Sequence, residues 1–252
     1  MAVKDSVVVI TGASSGIGAG LARELAGRGA SLVLTARREP ELRAVAESVQ
    51  VPVEVVPADV TVRAEVERVR DRALARFGRV DAWVNNAGRG ISRPSIESLS
   101  AEDVEVMIRD NTLSVLYGMQ VILPHFKARG SGVVANVSSG LSRIPNAVFR
   151  AAYSASKAAV NSLTGSLRFE LAKEFPGIRV LLIIPGVVAT DFGKNAVGGG
   201  VDSRALPGAQ TVEEVARKIA DGLFEGPLDL YTRPEGFDRV LGYLHDLAGV
   251  PR

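Results

Sequence analysis

The sequence predicts a single α/β domain over residues 1–252, built on a doubly wound parallel β-sheet with helices on both faces. Short β-branched runs alternate with longer stretches of helical period, which is the pattern of repeated βαβ units. Several of these runs are apolar at nearly every position, as expected for strands that helices cover on both sides. A glycine-rich turn follows the first run, and 252 residues suit one domain of this class.

Six runs are predicted to be strands because they combine strand length with β-branched, largely apolar composition. They are residues 6–10, 31–36, 53–56, 80–84, 133–137 and 178–184. Each of the six runs is followed by turn residues or by a stretch in which apolar residues recur with the period of a helix. Each predicted strand is therefore expected to lead into a helix.

Apolar residues that recur at spacings of three and four predict the intervening helices. Leu42, Val45 and Val49 mark one such helix, and Val62, Val66 and Val69 begin another. Longer helical stretches are predicted from 101 to about 129 and from 151 to about 175, with a last pair near 211–224 and 235–247. The glycine-rich segment 193–208 has no predicted element, so we expect a substrate lid at about 190–210.

The composition excludes several classes of protein. The absence of cysteine excludes disulfides, thiolate nucleophiles and cysteine metal sites, and the two histidines lie 120 positions apart, so no metal site is predicted. A net charge of +2 gives no reason to expect a nucleic-acid partner. The longest apolar run, 180–188, is too short to cross a membrane, and the first residues lack the features of a signal peptide. We therefore expect a cytoplasmic protein that binds neither membrane nor nucleic acid.

The first strand leads directly into a glycine-rich turn and then into a helix. Three glycines in this context leave main-chain N–H groups and a helix N-terminus open to a pyrophosphate, although an ordinary glycine-rich connection is the alternative. The residues expected to contact the cofactor here are Gly12, Ser14, Ser15, Gly16, Ile17 and Gly18.

Two arginines lie where the second strand ends, at the position that meets the adenosine ribose in dinucleotide-binding folds. Arg37 and Arg38 stand where NAD-binding proteins carry an acidic residue. A guanidinium offers a planar fork of donors to a 2′-phosphate, which favours NADP(H) over NAD(H). The alternative is that both arginines are solvated loop charges, Arg38 more readily than Arg37.

Tyr153 and Lys157 are four residues apart in a stretch of helical period, so both side chains leave one face of the predicted helix. Reduction of a carbonyl requires a proton on its oxygen, and tyrosine, with a pKa ordinarily about 10, exchanges protons poorly unless its anion is stabilised. An ammonium group one turn along the helix would stabilise that anion. The alternative is an unrelated tyrosine and lysine on the surface of an amphipathic helix.

Together these motifs resemble those of the short-chain dehydrogenase/reductase family, and the resemblance runs from Val7 to about Asp191. The motifs that carry it are Thr11-Gly12-x3-Gly16-x-Gly18, Asp59-Val60, Asn85-Asn86-Ala87-Gly88, Asn111, Asn136-Val137-Ser138-Ser139, Tyr153-x3-Lys157 and Pro185-Gly186. The resemblance implies a Rossmann-type fold and an oxidoreductase that moves a hydride between a nicotinamide and a carbonyl or alcohol carbon.

The resemblance also assigns roles to four catalytic residues. It implies that Tyr153 is the general acid and base, that Ser139 at the end of the fifth strand polarises the substrate oxygen, and that Lys157 lowers the tyrosine pKa and holds the nicotinamide ribose. Asn111 would bind a water that links Lys157 to solvent, or would simply be a structural residue at a helix kink.

Further cofactor contacts follow from the same resemblance. Asp59 and Val60 would flank the adenine, Asn86, Ala87 and Gly88 would lie beside the adenosine ribose, and Pro185, Gly186, Val188 and Thr190 would contact the nicotinamide. Asp59 has an alternative role as a helix cap, and Pro185-Gly186 has one as a simple turn.

The predicted function is therefore that of an NADP(H)-dependent ketone or aldehyde reductase, or alcohol dehydrogenase, acting on a small molecule. Residues 148–150, the lid and the C-terminal segment of about 231–252 are expected to shape the substrate pocket and loosely indicate an apolar substrate. The family resemblance implies a homodimer or homotetramer. The alternative is a redox-sensing regulator that binds NADP(H) without turnover, because fold alone does not fix function.

Overall fold

The computed structural model describes residues 2–249 and contains one seven-stranded, entirely parallel sheet. The strand order is β3-β2-β1-β4-β5-β6-β7. The strands are β1 (Val7–Thr11), β2 (Ser31–Ala36), β3 (Val53–Pro57), β4 (Ala82–Asn85), β5 (Gly132–Val137), β6 (Ile178–Ile184) and β7 (Asp229–Tyr231). The predicted Rossmann-type, doubly wound fold is confirmed.

Helices cover both faces of this sheet. They are α1 (Gly16–Gly27), α2 (Glu39–Glu47), α3 (Arg63–Phe77), α4 (Ala101–Ile108), α5 (Ser114–Arg129), α6 (Ala151–Leu171), α7 (Val212–Gly222) and α8 (Gly236–Ala248). Side chains of α1, α2 and α7 pack on one face, and those of α3, α5 and α6 pack on the other. Along β1, Val8 and Ile10 belong to the first layer while Val7 and Val9 belong to the second, because successive strand residues point to opposite faces.

The strand order reverses between β1 and β4, which lie side by side at the centre of the sheet. In such sheets a crevice opens at the carboxyl ends of the strands where the order reverses. The glycine turn after β1 and the Asn86 turn after β4 both lie at this edge. The fold therefore brings distant motifs of the sequence to one place.

Two elements differ from the sequence prediction. The helix predicted from 101 to about 129 is interrupted by one π-helical turn, Arg109–Leu113, between α4 and α5. The seventh strand, β7, was not predicted, because three residues are too few to form a recognisable apolar pattern.

The segment 193–208 is mostly irregular and contains one short 3₁₀ turn, Ser203–Ala205. Isolated parallel bridges join Ile91 to Val197 and Val188 to Gln210. The predicted C-terminal pocket segment includes β7 and α8, and its last residues, 250–252, lie outside the described residues. Within residues 2–249, none of the helices combines the length and the apolar character that a membrane span requires.

Candidate active site

A cavity of about 1200 Å³ opens at the carboxyl edge of the sheet. It is lined by Ser139, Tyr153 and Lys157, and by nearly every residue that the sequence assigned to the cofactor. Gly18 and Asn111 are the two predicted site residues that do not line it. The structure therefore gathers in one cavity motifs that are separated by up to about 180 positions of sequence.

The glycine turn packs so closely against the turn after β4 that side chains are excluded. Gly12 has a φ of +66°, and a Cβ added there would lie 2.8 Å from the Cα of Ala87. A Cβ at Gly18 would collide with the carbonyl oxygen of Gly12. Asn86 fixes the turn, since its Nδ2 donates to the Thr11 carbonyl at 2.8 Å and its main-chain N–H donates to Thr11 Oγ1 at 2.9 Å.

The N-terminus of α1 is left open to an anion. Ser15, the residue before the helix, has an extended backbone and does not cap the helix with its side chain, and the first turn contains no acidic residue. Free N–H groups and the positive end of the helix dipole both favour a phosphate group there. This open terminus and the close approach at Gly12 and Gly18 fit the pyrophosphate of a dinucleotide.

Arg38 reaches back to this turn from the end of β2. Its Nη2 donates to Ser14 Oγ at 3.1 Å and to Ser15 Oγ at 2.8 Å, and its Nη1 lies 3.6 Å from Glu41 Oε1. Arg37 also lines the cavity, but it forms no hydrogen bond or ion pair within residues 2–249. The sequence favours Arg38 over Arg37 as the solvated arginine. In the structure it is Arg38 that hydrogen-bonds to the glycine turn.

Asp59 lines the cavity but does not cap α3. Its Oδ1 accepts hydrogen bonds from the N–H and the hydroxyl of Thr61, at 2.9 and 2.8 Å. The residue before α3 is Val62, which has no capping side chain. The proposed alternative role of Asp59 as the cap of this helix is therefore wrong.

Tyr153 and Lys157 leave α6 one turn apart and are almost completely buried, with 7% and 3% of their surfaces exposed. Burial raises the pKa of Tyr153 above its usual value, while a side-chain hydrogen bond with Ser139 and the positive charge of Arg150 act in the opposite direction. Burial also lowers the pKa of Lys157 to about 8, and its Nζ donates to the carbonyl oxygen of Val137 at 2.8 Å. At neutral pH the cavity thus holds a protonated tyrosine next to a serine hydroxyl, with an ammonium group one helical turn away.

Ser139 lies two residues beyond the end of β5, where it begins a short 3₁₀ turn, Gly140–Ser142. The sequence predicts that the fifth strand ends at residue 137, as β5 does, so Ser139 lies at the expected end of the strand. A side-chain network holds this turn against α6: Ser138 Oγ donates to Asn161 Oδ1 at 2.6 Å, and Asn161 Nδ2 donates to Ser142 Oγ at 2.9 Å. Sequence reasoning missed Asn161, although its position one turn after Lys157 places it on the same face of α6.

Asn111 lies in the π-helical turn and is completely buried. Its Oδ1 accepts from the Arg89 N–H at 2.7 Å, and its Nδ2 donates to the Arg89 carbonyl at 2.9 Å and to Ser156 Oγ at 3.0 Å. A Cβ added at Gly88 would lie 2.9 Å from Asn111 Oδ1 and 3.2 Å from Lys157 Nζ. Asn111 therefore holds the segment after β4 next to Lys157. Its side-chain oxygen and nitrogen are both already engaged in hydrogen bonds with other protein atoms.

The segment after β6 closes the other side of the cavity. Pro185, Gly186, Val188 and Thr190 all line it, and the carbonyl oxygen of Pro185 accepts from the N–H of Gly140 at 2.9 Å. The Phe192 ring packs edge-on against the Tyr153 ring, with 5.5 Å between their centroids. In the described part of the chain, no cluster of three or more histidine, aspartate or glutamate side chains is arranged to hold a metal ion.

Comparison with known proteins identifies the family. A family model described as short chain dehydrogenase matches residues 6–198. An uncharacterized oxidoreductase of Staphylococcus epidermidis is 38% identical over 198 residues, covering 76% of this chain and 84% of that protein. Another from Staphylococcus saprophyticus is 41% identical over 192 residues, covering 75% of this chain and 80% of that protein.

Solved structures agree in fold over nearly the whole chain. A short chain dehydrogenase/reductase from Burkholderia phymatum in complex with NAD superposes with a TM-score of 0.88 at 25% identity, covering 100% of this chain and 97% of the other. A short-chain dehydrogenase from Sphingobium yanoikuyae in complex with NADPH has a TM-score of 0.81 at 31% identity, with coverages of 98% and 96%. Proteins of this fold thus bind either form of the nicotinamide cofactor.

Proposed function

The chain belongs to the short-chain dehydrogenase family, and on that basis we propose that it is an NADP(H)-dependent oxidoreductase that interconverts a ketone or aldehyde and the corresponding alcohol. The observation that carries the proposal is the placement of Tyr153 and Lys157, both buried and one turn apart on α6, on the wall of the cavity that Ser139 also lines. A nucleotide-binding protein without a reaction to catalyse has no need of a proton donor in this setting.

Each of these three side chains has a distinct task. In reduction Tyr153 gives its phenolic proton to the substrate oxygen, and in oxidation it takes that proton back. Ser139 donates a hydrogen bond to the same oxygen and stabilises the negative charge that develops on it. Lys157 is cationic at neutral pH and favours the tyrosinate that remains after proton transfer.

The residues at the carboxyl edge fit a dinucleotide. Main-chain N–H groups of the turn from Gly12 to Gly18 would hold the pyrophosphate, Asp59, Val60 and the Asn86–Gly88 turn would hold the adenosine, and Lys157 with residues 185–190 would hold the nicotinamide end. When bound, the cofactor supplies the hydride to the substrate carbon or accepts it. Arg38, with Arg37 beside it, supports a preference for NADP(H), because its guanidinium lies next to the turn and no carboxylate occupies the end of β2.

Asn111 would support the return of a proton to Tyr153. Its side-chain atoms are already bonded to Arg89 and Ser156, so this support would come from its main chain or from the placement of Gly88 beside Lys157. The cytoplasmic location stays a prediction.

We also propose that the chain assembles as a homodimer or homotetramer through its two long central helices. The outer side of α6 carries Phe169, whose side chain is 86% exposed in the single chain. A large apolar side chain this exposed is readily buried by a second copy. Light scattering on the purified protein would distinguish monomer, dimer and tetramer.

The test of the proposed reaction combines cofactor titration with turnover. NADPH and NADH binding would be followed by nicotinamide fluorescence, and a panel of ketones and aldehydes would then be added while the reduced cofactor is monitored. We expect turnover of at least one carbonyl with NADPH, and a loss of about 10²- to 10⁴-fold in Tyr153→Phe with NADPH binding retained. Substantial activity in Tyr153→Phe would disprove the assignment, and tight binding without turnover across the panel would favour the redox-sensing alternative.

A further inference from the structure

One buried cation in the cavity has no acidic partner. Arg150, directly before α6 and three residues before Tyr153, lines the cavity with 9% of its surface exposed. Among residues 2–249, its one side-chain hydrogen bond runs from Nη1 to the carbonyl oxygen of Ile91 at 2.8 Å, and no carboxylate lies within ion-pair distance. A buried charge without a counter-charge is costly, so such a group usually has a partner or a function.

The guanidinium lines the cavity where two main-chain segments pass close to it. A Cβ added at Gly90 would lie 2.7 Å from Nη1, and one added at Gly200 would lie 3.1 Å from Nη2, so this close approach requires glycine at both positions. The Phe149 ring lies 5.4 Å from its central carbon. A guanidinium carries five N–H donors in a fork that matches a carboxylate, and only one nitrogen is engaged here.

The guanidinium lies at the substrate end of the cavity, away from the glycine turn. Phe192 connects it to the reacting group, since the ring packs on Tyr153 and also lies next to Gly90. One aromatic ring thus links the surroundings of the guanidinium to Tyr153. Arg150 and Tyr153 line the same cavity, so a single substrate can contact both side chains.

Arg150 differs from another arginine of the cavity wall in lacking a carboxylate partner. Arg204 is paired with Asp191 and Asp202, whereas no carboxylate lies within ion-pair distance of Arg150 among residues 2–249. Ile144, Phe149 and Phe192 line the same cavity and add apolar surface. A guanidinium fork beside apolar surface matches a carboxylate on an apolar body.

We propose that Arg150 binds the carboxylate of the substrate, and that the enzyme therefore acts on an apolar keto acid or the corresponding hydroxy acid. This inference rests on the proposed reductase function for the reaction itself, but the carboxylate site can be measured without turnover. The competing explanation is that Arg150 only fastens the segment at Ile91, which pairs with Val197 of the lid.

The experiment compares acids with their esters in the wild type and in Arg150→Met. Benzoylformate and levulinate are paired with their methyl esters, because their carboxylates lie at different distances from the ketone. We expect the wild type to have a higher kcat/KM for at least one acid than for its ester. In Arg150→Met, KM for that acid should rise about 10- to 100-fold while the ester changes less than about threefold. Arg217→Met, which removes an exposed arginine of α7, controls for net charge.

A second measurement keeps binding separate from chemistry. Benzoate and phenylacetate should raise the melting temperature of the wild type and of Arg217→Met, but not that of Arg150→Met. If Arg150→Met does not fold, Arg150→Lys replaces it; there we expect a weakened preference for the acid, because a point charge replaces the fork.

The outcomes are distinct. Equal kcat/KM for acids and esters in the wild type, together with no protection by carboxylates, would overturn the proposal. An equal loss on acid and ester in Arg150→Met would assign Arg150 to the lid segment instead. Carboxylate protection that depends on Arg150, without turnover of any carbonyl, would retain the carboxylate site and reject the reductase function.

Discussion

Burying the ammonium group of Lys157 in the candidate active site lowers the stability of the folded protein. Its ammonium group is 97% buried, and its one hydrogen bond is to the carbonyl of Val137, so it lacks an acidic partner among the described residues. Burial accordingly lowers its pKa from 10.5 to about 8. A methionine would avoid the cost of burying a charge, but it would remove the ammonium group that we propose stabilises the Tyr153 anion.

This shift predicts a pH-dependent contribution to folding. Between about pH 8 and 10.5 the unfolded chain holds a proton on Lys157 that the folded chain has released, so the free energy of unfolding rises with pH in this range. Relative to Lys157→Met, the wild type should gain on the order of 3 kcal/mol from about pH 7 to pH 10.5. Urea titrations at several pH values measure the difference. The same substitution at the exposed Lys218 is the control, and a wild-type curve parallel to that of Lys157→Met would contradict the prediction.

We expect Arg38 to determine the preference between NADPH and NADH. Replacing it by methionine removes the guanidinium next to Ser14 and Ser15. We expect the Kd of NADPH to rise about 10- to 100-fold, because a charged hydrogen bond to the 2′-phosphate is lost, while the Kd of NADH changes little. Fluorescence titration with both cofactors measures the two effects. Arg37→Met is the matched variant. If Arg38→Met loses affinity equally for NADPH and NADH, that result would count against a 2′-phosphate site at Arg38.

The sequence predicted those site residues whose placement follows from their spacing along the chain. Tyr153 and Lys157 face one cavity because four residues make about one helical turn. The roles of Arg150 and Arg38 depend instead on burial and on contacts across the fold. Arg150 is separated by about 60 positions of sequence from the Ile91 carbonyl that it binds, and no local pattern indicates such a contact.

Among the elements, the turn that carries Ser139 depends on a neighbouring helix for its position. Ser138 and Ser142 flank Ser139, and both hydrogen-bond to Asn161 of α6. The same helix carries Tyr153 and Lys157. Asn161 therefore acts as a positioning residue that fixes the serine turn relative to the tyrosine.

Removing this link should misplace Ser139 without altering the cofactor site. We expect Asn161→Ala to lower kcat about tenfold, because small misplacements of a catalytic group are costly, with the Kd of NADPH within about threefold of the wild type. Steady-state kinetics with one carbonyl, together with NADPH titration, measures both effects. The adjacent exposed Ser162→Ala is the control. Unchanged kcat in Asn161→Ala would show that the turn holds its position by itself.

The elements that the sequence predicted poorly share a physical cause. All six predicted strands exist, with boundaries within about two residues, because long apolar runs have a clear pattern. The π-helical turn at Arg109–Leu113 has the same apolar spacing as an ordinary helix, and only the buried contacts of Asn111 reveal it. The strand β7 owes its existence to pairing with β6 rather than to its own three residues.

At the scale of the whole molecule, a buried ionic cluster joins elements at the amino end of the sheet. Asp81 is completely buried and accepts hydrogen bonds from the Val7 N–H at 2.8 Å, from Arg79 Nη2 at 2.7 Å and from Arg129 Nη2 at 3.0 Å. These partners stand at the start of β1, before β4 and at the end of α5. Despite burial, the hydrogen bonds and charges of Arg79 and Arg129 hold the pKa of Asp81 below its ordinary value.

Loss of Asp81 should therefore destabilise the protein without a direct effect on catalysis. Asp81→Ala leaves the buried Val7 N–H without its side-chain acceptor, which costs about 1–3 kcal/mol, while Arg79 and Arg129, whose side chains are 47% and 28% exposed, remain accessible to water. We expect a corresponding fall in the free energy of unfolding from urea titration, with kcat of the folded fraction unchanged. Asp71→Ala removes an exposed carboxylate and is the control. Equal stability of the two variants would contradict a central role for the cluster.

The separation between this cluster and the cavity has a consequence for engineering. Asp81 lies before β4, whereas the cavity is built from loops that follow the strands, so the two occupy opposite ends of the sheet. Part of the cavity wall, between Val201 and Val240, also lies beyond residue 198, where the match to the family model ends. Loops grafted from relatives onto this side should change the substrate range while leaving the folding anchor intact. The protein is accordingly a suitable scaffold for engineering within the short-chain dehydrogenase family.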